Sequence, residues 1–181
     1  MNMDGLKRDV LPAFAAVLEY PKEDFRDRLD NLLHVLSMNS PEAWDEIFEF
    51  EQAVGAWPLE MQEHLYTRTF DIGPQCVPYL SVYLFGEQSF KRAELMTGLA
   101  QAYERAGCDR GNELPDHLAV VLRFAPHFAG DEWDEMVQWC LRGPLGHMAR
   151  ALAKVENPYQ YVLRALGQIV DAAFPEEALH A

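Results

Sequence analysis

Apolar residues recur at three- and four-residue steps along nearly the whole chain, which is the period of one face of an α-helix. Leu6, Val10, Phe14, Val17 and Leu18 set that period over residues 5–19. Tyr20-Pro21 ends the run, because a residue before proline is pushed away from helical geometry. Phe25, Leu29, Leu32, Leu33 and Leu36 continue the pattern over 22–38. Ser40-Pro41 reads as an N-cap followed by proline at the first helical position. The helix it opens carries Trp44, Ile47, Phe48 and Val54 and stops near Gly55 and Pro58. A further helix spans 59–70. One irregular stretch follows, DIGPQCVPYLSVYLFGE (71–87), broken by two prolines and a glycine and crowded with aromatics in its second half. Helical spacing returns over 88–106 with Leu95, Met96, Leu99 and Tyr103, and Gly107 supplies a stop. Helices are expected at 115–128, 131–142, 144–155 and 158–174, the last opened by Asn157-Pro158 in the manner of Ser40-Pro41. No pair of strands with a hairpin turn and no Gly/Ser/Pro-rich linker occurs. The pattern predicts an all-α fold, one helical domain over 1–181 with eight to nine helices.

Length and charge narrow the function classes. At 181 residues the chain suits one domain with a substantial core, and an apolar content of 49% argues against disorder. The formal charge of −14 repels nucleic acid and anionic lipid headgroups and attracts basic partners. No apolar run reaches eighteen residues, so no membrane insertion is expected. MNMDGLKRDVLPAF lacks the features of a secretory signal. Cys76, Cys108 and Cys140 are odd in number and far apart, which suits a reducing cytoplasm. Their equal spacing suggests a repeat, but the flanking residues do not keep the register.

Signatures of familiar chemistry are missing: no P-loop, G-x-G-x-x-G, G-x-S-x-G, H-E-x-x-H or C-x-x-C is present. His117 and His127 are ten apart, about 80° out of phase on a helix at roughly 100° per residue. One segment stands out, NELPDHLAVVLRF (112–124), which puts Asp116 and His117 at the mouth of a helix. In the bland reading Asp116 complements the helix dipole from the first turn and His117 is incidental. In the functional one the pair grips a ligand or partner; a catalytic dyad would need a nucleophile, and none has a recognisable context.

Three segments, LYTRTFDIGPQCVPYLSVYLFGE (65–87), KRAELMTGLAQAYERAG (91–107) and NELPDHLAVVLRF, together resemble the TorD/DmsD/NarJ family of molybdoenzyme assembly chaperones. The likeness is strongest to its NarJ branch, the delta subunit of respiratory nitrate reductases. LEYP (18–21) and NPYQYVL (157–163) fit the family's ends. NarJ-type proteins usually carry Arg-Gly where this chain has Arg92-Ala93, and they often run longer at the C-terminus.

The resemblance implies an all-helical, non-catalytic protein of the cytoplasm. Its partner would be the N-terminal leader and the apo form of a molybdopterin enzyme's catalytic subunit, held while cofactor is inserted. Molybdenum-cofactor biosynthesis proteins are candidate further partners, and monomer and dimer both stay open. No cofactor or metal is expected on the chaperone itself. Asp116 and His117, with Glu113 and Pro115, fall at the implied leader-binding site, where a carboxylate can accept from a peptide arginine or amide. Tyr66 and Phe70 share one helical face, and Tyr79 and Tyr83 repeat the spacing; core packing explains such pairs as readily as an aromatic groove does. Glu87 and Glu113 are either solvated carboxylates or rim charge for a basic leader. Trp133 and Trp139 are expected in the core. The rival from another class is a phosphate-ester or nucleotide hydrolase with metal held by histidines and carboxylates on facing helices.

Overall fold

The structure, a computed structural model, describes residues 5–174, with the backbone alone at positions 39, 130 and 131. Its helices are α1 (Leu11–Val17), α2 (Phe25–Asn39), α3 (Pro41–Val54), α4 (Leu59–Tyr66), α5 (Leu80–Phe85), α6 (Phe90–Arg105), α7 (Leu118–Arg123), α8 (Gly130–Glu135), α9 (Arg142–Lys154) and α10 (Tyr159–Ala173). Wider π turns precede α1 (Leu6–Val10), follow α4 (Thr67–Asp71) and join α8 to α9 (Met136–Leu141); a 3₁₀ turn (Ala125–His127) follows α7. Joined where contiguous, these make nine helical segments and the separate 3₁₀ turn among the described residues, and the fold is all-α as the periodicity predicts.

Local chemistry explains most boundaries. Pro12 and Pro144 lack the N–H that a helix would bond to the carbonyl four residues back. Each sits just after a π turn, where the bond runs one residue further: Leu11 N–H to Leu6, and Arg142 N–H to Val137. That turn lets the chain pass through Pro144 unbroken, so the two helices expected at 131–142 and 144–155 are continuous. Asn157 accepts from the Tyr159 amide at 2.9 Å and so starts α10. Ser40 occupies the N-cap position of α3, but its hydroxyl makes no capping bond.

Two expected spans are corrected. The stretch 71–87 is not irregular throughout: it contains α5, six residues and too short to show a period. The helix expected at 115–128 is only α7 plus the 3₁₀ turn. Its start is delayed because Asp116 and His117 pair with an extended segment, described below. Its end comes early because Pro126 cannot donate to the carbonyl of Leu122.

The helices close on one buried cluster that runs from Leu6 to Phe174. Helix α10 packs against α9 and α3, α1 packs against α2 and α7, and α2 against α3. The inward face of α10 carries Tyr159, Val162, Leu163, Leu166, Ile169 and Val170 at helical spacing. Truncating a leucine buried this way, such as Leu166, costs about 2–5 kcal/mol. Trp133, Val137 and Leu141 also point inward, Trp133 with no exposure at all. Trp139 does not belong to the core: it lies two residues from Val137, about 200° around the helix, and is 66% exposed.

An aromatic chain links this core to the surface. Tyr159 contacts Phe50 (ring centroids 5.0 Å), Phe70 (4.9 Å) and Tyr66 (6.2 Å), and Tyr66 meets Tyr20 edge-on at 5.4 Å. The turn before α10 holds the near end of this chain in place. Asn157 donates to Thr69 Oγ1 (2.7 Å) and Gln75 Oε1 (2.8 Å), which ties the π turn after α4 to α10.

Candidate functional site

Two proline-bearing segments build the site. Val77 and Leu114 each precede a proline, which favours extended backbone. The segments lie antiparallel and form an isolated bridge at Tyr79 and His117. Leu118 N–H donates to Pro78 O at 2.8 Å, and Leu80 N–H to Asp116 O at 3.0 Å. The bridge ends in two helix starts, α5 on one side and α7 on the other.

Pairing at this point brings the rings of Tyr79 and His117 together, edge to face at 5.5 Å. His117 caps α7, its Nδ1 accepting from the Ala119 amide at 3.2 Å. An accepting Nδ1 leaves the proton of a neutral imidazole on Nε2. Burial pulls the imidazole's pKa below its ordinary value, against the opposing pull of Glu113, Asp116 and Glu19.

The bridge forms one wall of a cavity of about 360 Å³. Tyr66, Phe70 and Tyr79 supply its aromatic surface, with Tyr20 at the end of α1's exit loop. Glu19, Asp71 and Glu113 bring carboxylates; Lys22, Arg110 and Arg123 bring cations. Arg123 is held by Glu19 at 2.6 Å and donates to Arg110 O at 3.4 Å. Among the described residues, no ion pair engages the carboxylates of Asp71 and Glu113. Burial raises the Tyr66 phenol far above its usual range, and Glu113, Asp71 and Glu19 add to the effect. Tyr66 is therefore a hydrogen-bond donor at any ordinary pH, and it donates to Leu18 O at 3.3 Å. Glycines with left-handed backbone, Gly107 (φ 68°) and Gly111 (φ 67°), turn the loop that carries Arg110 and Glu113 to the cavity.

Of the residues singled out in the sequence, Tyr66, Phe70, Tyr79, Glu113 and His117 line this one cavity. The other four lie elsewhere. Asp116 has no exposure, and it is neither on a rim nor in the first turn of its own helix. Its Oδ2 accepts from the amide of Ser81 at 3.2 Å and from the Ser81 hydroxyl, so it caps α5, while Oδ1 is buried without a partner. Arg92 Nε donates to Ser81 Oγ at 2.9 Å and completes that buried chain. Pro115 is buried, and its carbonyl accepts from the Tyr103 hydroxyl at 2.9 Å. Tyr83 turns away, donating to Val77 O at 2.8 Å and stacking on His147 at 6.2 Å. Glu87 is exposed on the turn after α5, outside the cavity lining.

Sequence reasoning passed over Glu19, Tyr20, Lys22, Asp71, Arg110 and Arg123. The aromatic before Pro21 and the arginine ending an otherwise apolar helix were the signals available. Among the described residues no three His, Cys, Asp or Glu side chains gather as a metal site would require, and no helix is long and apolar enough to cross a membrane.

Comparison with known proteins adds three findings. The family profile described as nitrate reductase delta subunit matches residues 22–162. The chain is 28% identical over 115 residues to a Bacillus subtilis (strain 168) protein described as nitrate reductase molybdenum cofactor assembly chaperone NarJ; the match spans 62% of this chain and 62% of that protein. A crystal structure described as a redox enzyme maturation protein from Archaeoglobus fulgidus superposes with a TM-score of 0.63 at 20% identity, covering 94% of this chain and 95% of the other. That likeness concerns the fold alone. The family match covers residues 22–162, most of the chain: the chain belongs to the nitrate reductase delta subunit family.

Proposed function

We propose that this protein is a cytoplasmic assembly chaperone that captures the N-terminal leader of a molybdopterin oxidoreductase's catalytic subunit in the cavity between α4, the proline bridge and α7. The family is one of molybdoenzyme chaperones and not of enzymes. The observation that carries the reading is the cavity wall itself, where Tyr66, Phe70 and Tyr79 stand beside the carboxylates of Asp71 and Glu113, which no ion pair engages among the described residues. Such a wall suits a peptide that is apolar on one face and basic beside it. Aromatic rings bury the apolar side chains, and the carboxylates accept from a lysine or arginine.

In this reading Glu113 contacts the leader, and neutral His117 offers a donor from Nε2. Asp116 and Pro115 act from behind, by fixing the bridge that shapes the cavity wall. Holding the leader keeps the apo subunit from export or membrane attachment while molybdenum cofactor is inserted. The whole chain acts as one domain, and it supplies no cofactor of its own.

Calorimetry tests the reading with synthetic leaders, the first roughly 15–40 residues of each molybdoenzyme catalytic subunit in the source organism, a length that covers a groove-bound helix. At least one leader binds if the reading holds. No heat and no competition across the whole set contradicts it.

A further inference from the structure

A second surface lies apart from the leader cavity, along α6. A hollow of about 440 Å³ lies between α6 and the π turn Met136–Leu141. A second hollow of about 210 Å³ continues it toward the end of α6, and the two share Ala102, Arg105, Phe128 and Glu132. The groove they make runs from Glu94 to Ala106. At 1.5 Å per residue that is about 18 Å, or roughly three helical turns.

Its floor is apolar: Leu95, Leu99, Ala102, Phe128 and Met136, with the exposed indole of Trp139 standing at one side. An exposed tryptophan beside a ready-made apolar floor is the usual make-up of an anchor position, since few side chains bury more area on docking. The rim carries three carboxylates, Glu94, Glu132 and Glu135, against one guanidinium, Arg105. Among the described residues no ion pair engages Glu94 or Glu135.

We infer that this groove docks a cationic amphipathic helix of about three turns from a partner protein, its apolar face on Leu99 and Trp139 and its lysines or arginines on Glu94 and Glu135. The groove's length fits a helix, and its rim charge fits a basic one. A second copy of this chain does not fit. A twofold contact would press this carboxylate-bearing face onto an identical one, with three acids against one arginine on each side, between bodies that each carry −14. The inference stands independently of the leader cavity, because no residue lines both.

The test uses two fluorescein-labelled synthetic helices of about 14 residues, with leucines at i, i+3, i+4 and i+7 and either lysines or glutamates flanking them. Anisotropy titration of the full chain should show binding of the lysine helix and not of the glutamate helix. Trp139→Ala should weaken the lysine helix about tenfold or more, as loss of an anchor does. The double variant Glu94→Lys/Glu135→Lys, altered only at exposed positions, should reverse the charge preference, whereas Tyr79→Ala in the leader cavity should leave the Trp139-dependent part of the affinity unchanged. The inference is overturned if the lysine helix does not bind, if it binds Trp139→Ala as tightly as wild type, or if only Tyr79→Ala weakens it. It is also overturned if light scattering finds a dimer that Trp139→Ala dissociates, since the occupant is then a second copy.

Discussion

The carboxylate of Asp116 caps a helix from a segment far earlier in the chain, accepting from both the amide and the hydroxyl of Ser81, thirty-five residues before it. Ser81 is the second residue of α5, where helix N–H groups lack intrahelical partners and the dipole favours negative charge. The acid that looked like a peptide grip is therefore a clamp. It joins the start of α5 to the start of α7 and so fixes the bridge beside the cavity.

That role predicts a stability effect. Asp116→Ala leaves the Ser81 amide and hydroxyl unsatisfied in the interior and should cost about 1–3 kcal/mol. Ser81→Ala should cost less, and the pair should couple by about 0.5–3 kcal/mol because they share the bond. Urea unfolding of both single variants and the double variant measures this. Simple additivity would show that the two side chains do not depend on each other.

The aromatic residues should separate into two groups. Tyr79 lines the cavity and is only half-buried, so Tyr79→Ala should weaken leader binding by about 1–3 kcal/mol with the fold intact. Tyr83 spends its hydroxyl on Val77 O and lies outside the cavity. Tyr83→Phe should cost stability alone, about 0.5–1.5 kcal/mol. Calorimetry and thermal melts on the same preparations check both. Equal loss of leader affinity in the two variants would mean that the leader reaches past the bridge to α5.

His117 gives the protein a dependence on mild acid. Burial lowers its folded pKa, while the unfolded chain titrates near the ordinary value of 6.5. The unfolded state thus binds the proton first. The stability from neutral His117 is fully present above pH 6.5 and is lost as pH falls through the folded pKa. Glu113, Asp116 and Glu19 moderate the loss by favouring the charged form, and Arg123 opposes them. Urea midpoints taken from about pH 8 to pH 5 should decline more steeply for wild type than for His117→Gln. Parallel curves would show that other groups govern the acid limb.

The long helices were legible because burial repeats faithfully along them. Phe25–Asn39 and Tyr159–Ala173 fall within three residues of their expected limits. What the sequence hid is what depends on contact at a distance. Helix α5 is six residues, less than two turns, and its start is capped by an acid from another segment. The delayed start of α7 follows from the bridge to Tyr79, which no local pattern announces. Trp139 was misjudged for a different reason: hydrophobicity outweighed phase, although the positions of Trp133, Val137 and Leu141 already put it on the opposite side. In the candidate site Tyr66, Phe70, Tyr79, Glu113 and His117 were singled out by residue type and resemblance. Glu19, Tyr20 and Arg123 were missed because they come from α1's exit and the end of α7, which only the fold brings together.

The central claim is that the leader occupies the cavity beside Tyr79 and His117. The most direct measurement is photo-crosslinking with a leader peptide that carries a benzophenone at successive positions, followed by peptide mapping. Crosslinks should concentrate on residues 19–22, 66–71, 78–79 and 110–123 and should fade in Tyr79→Ala. Crosslinks confined to the α6 groove around Trp139, or unchanged by Tyr79→Ala, would contradict the account.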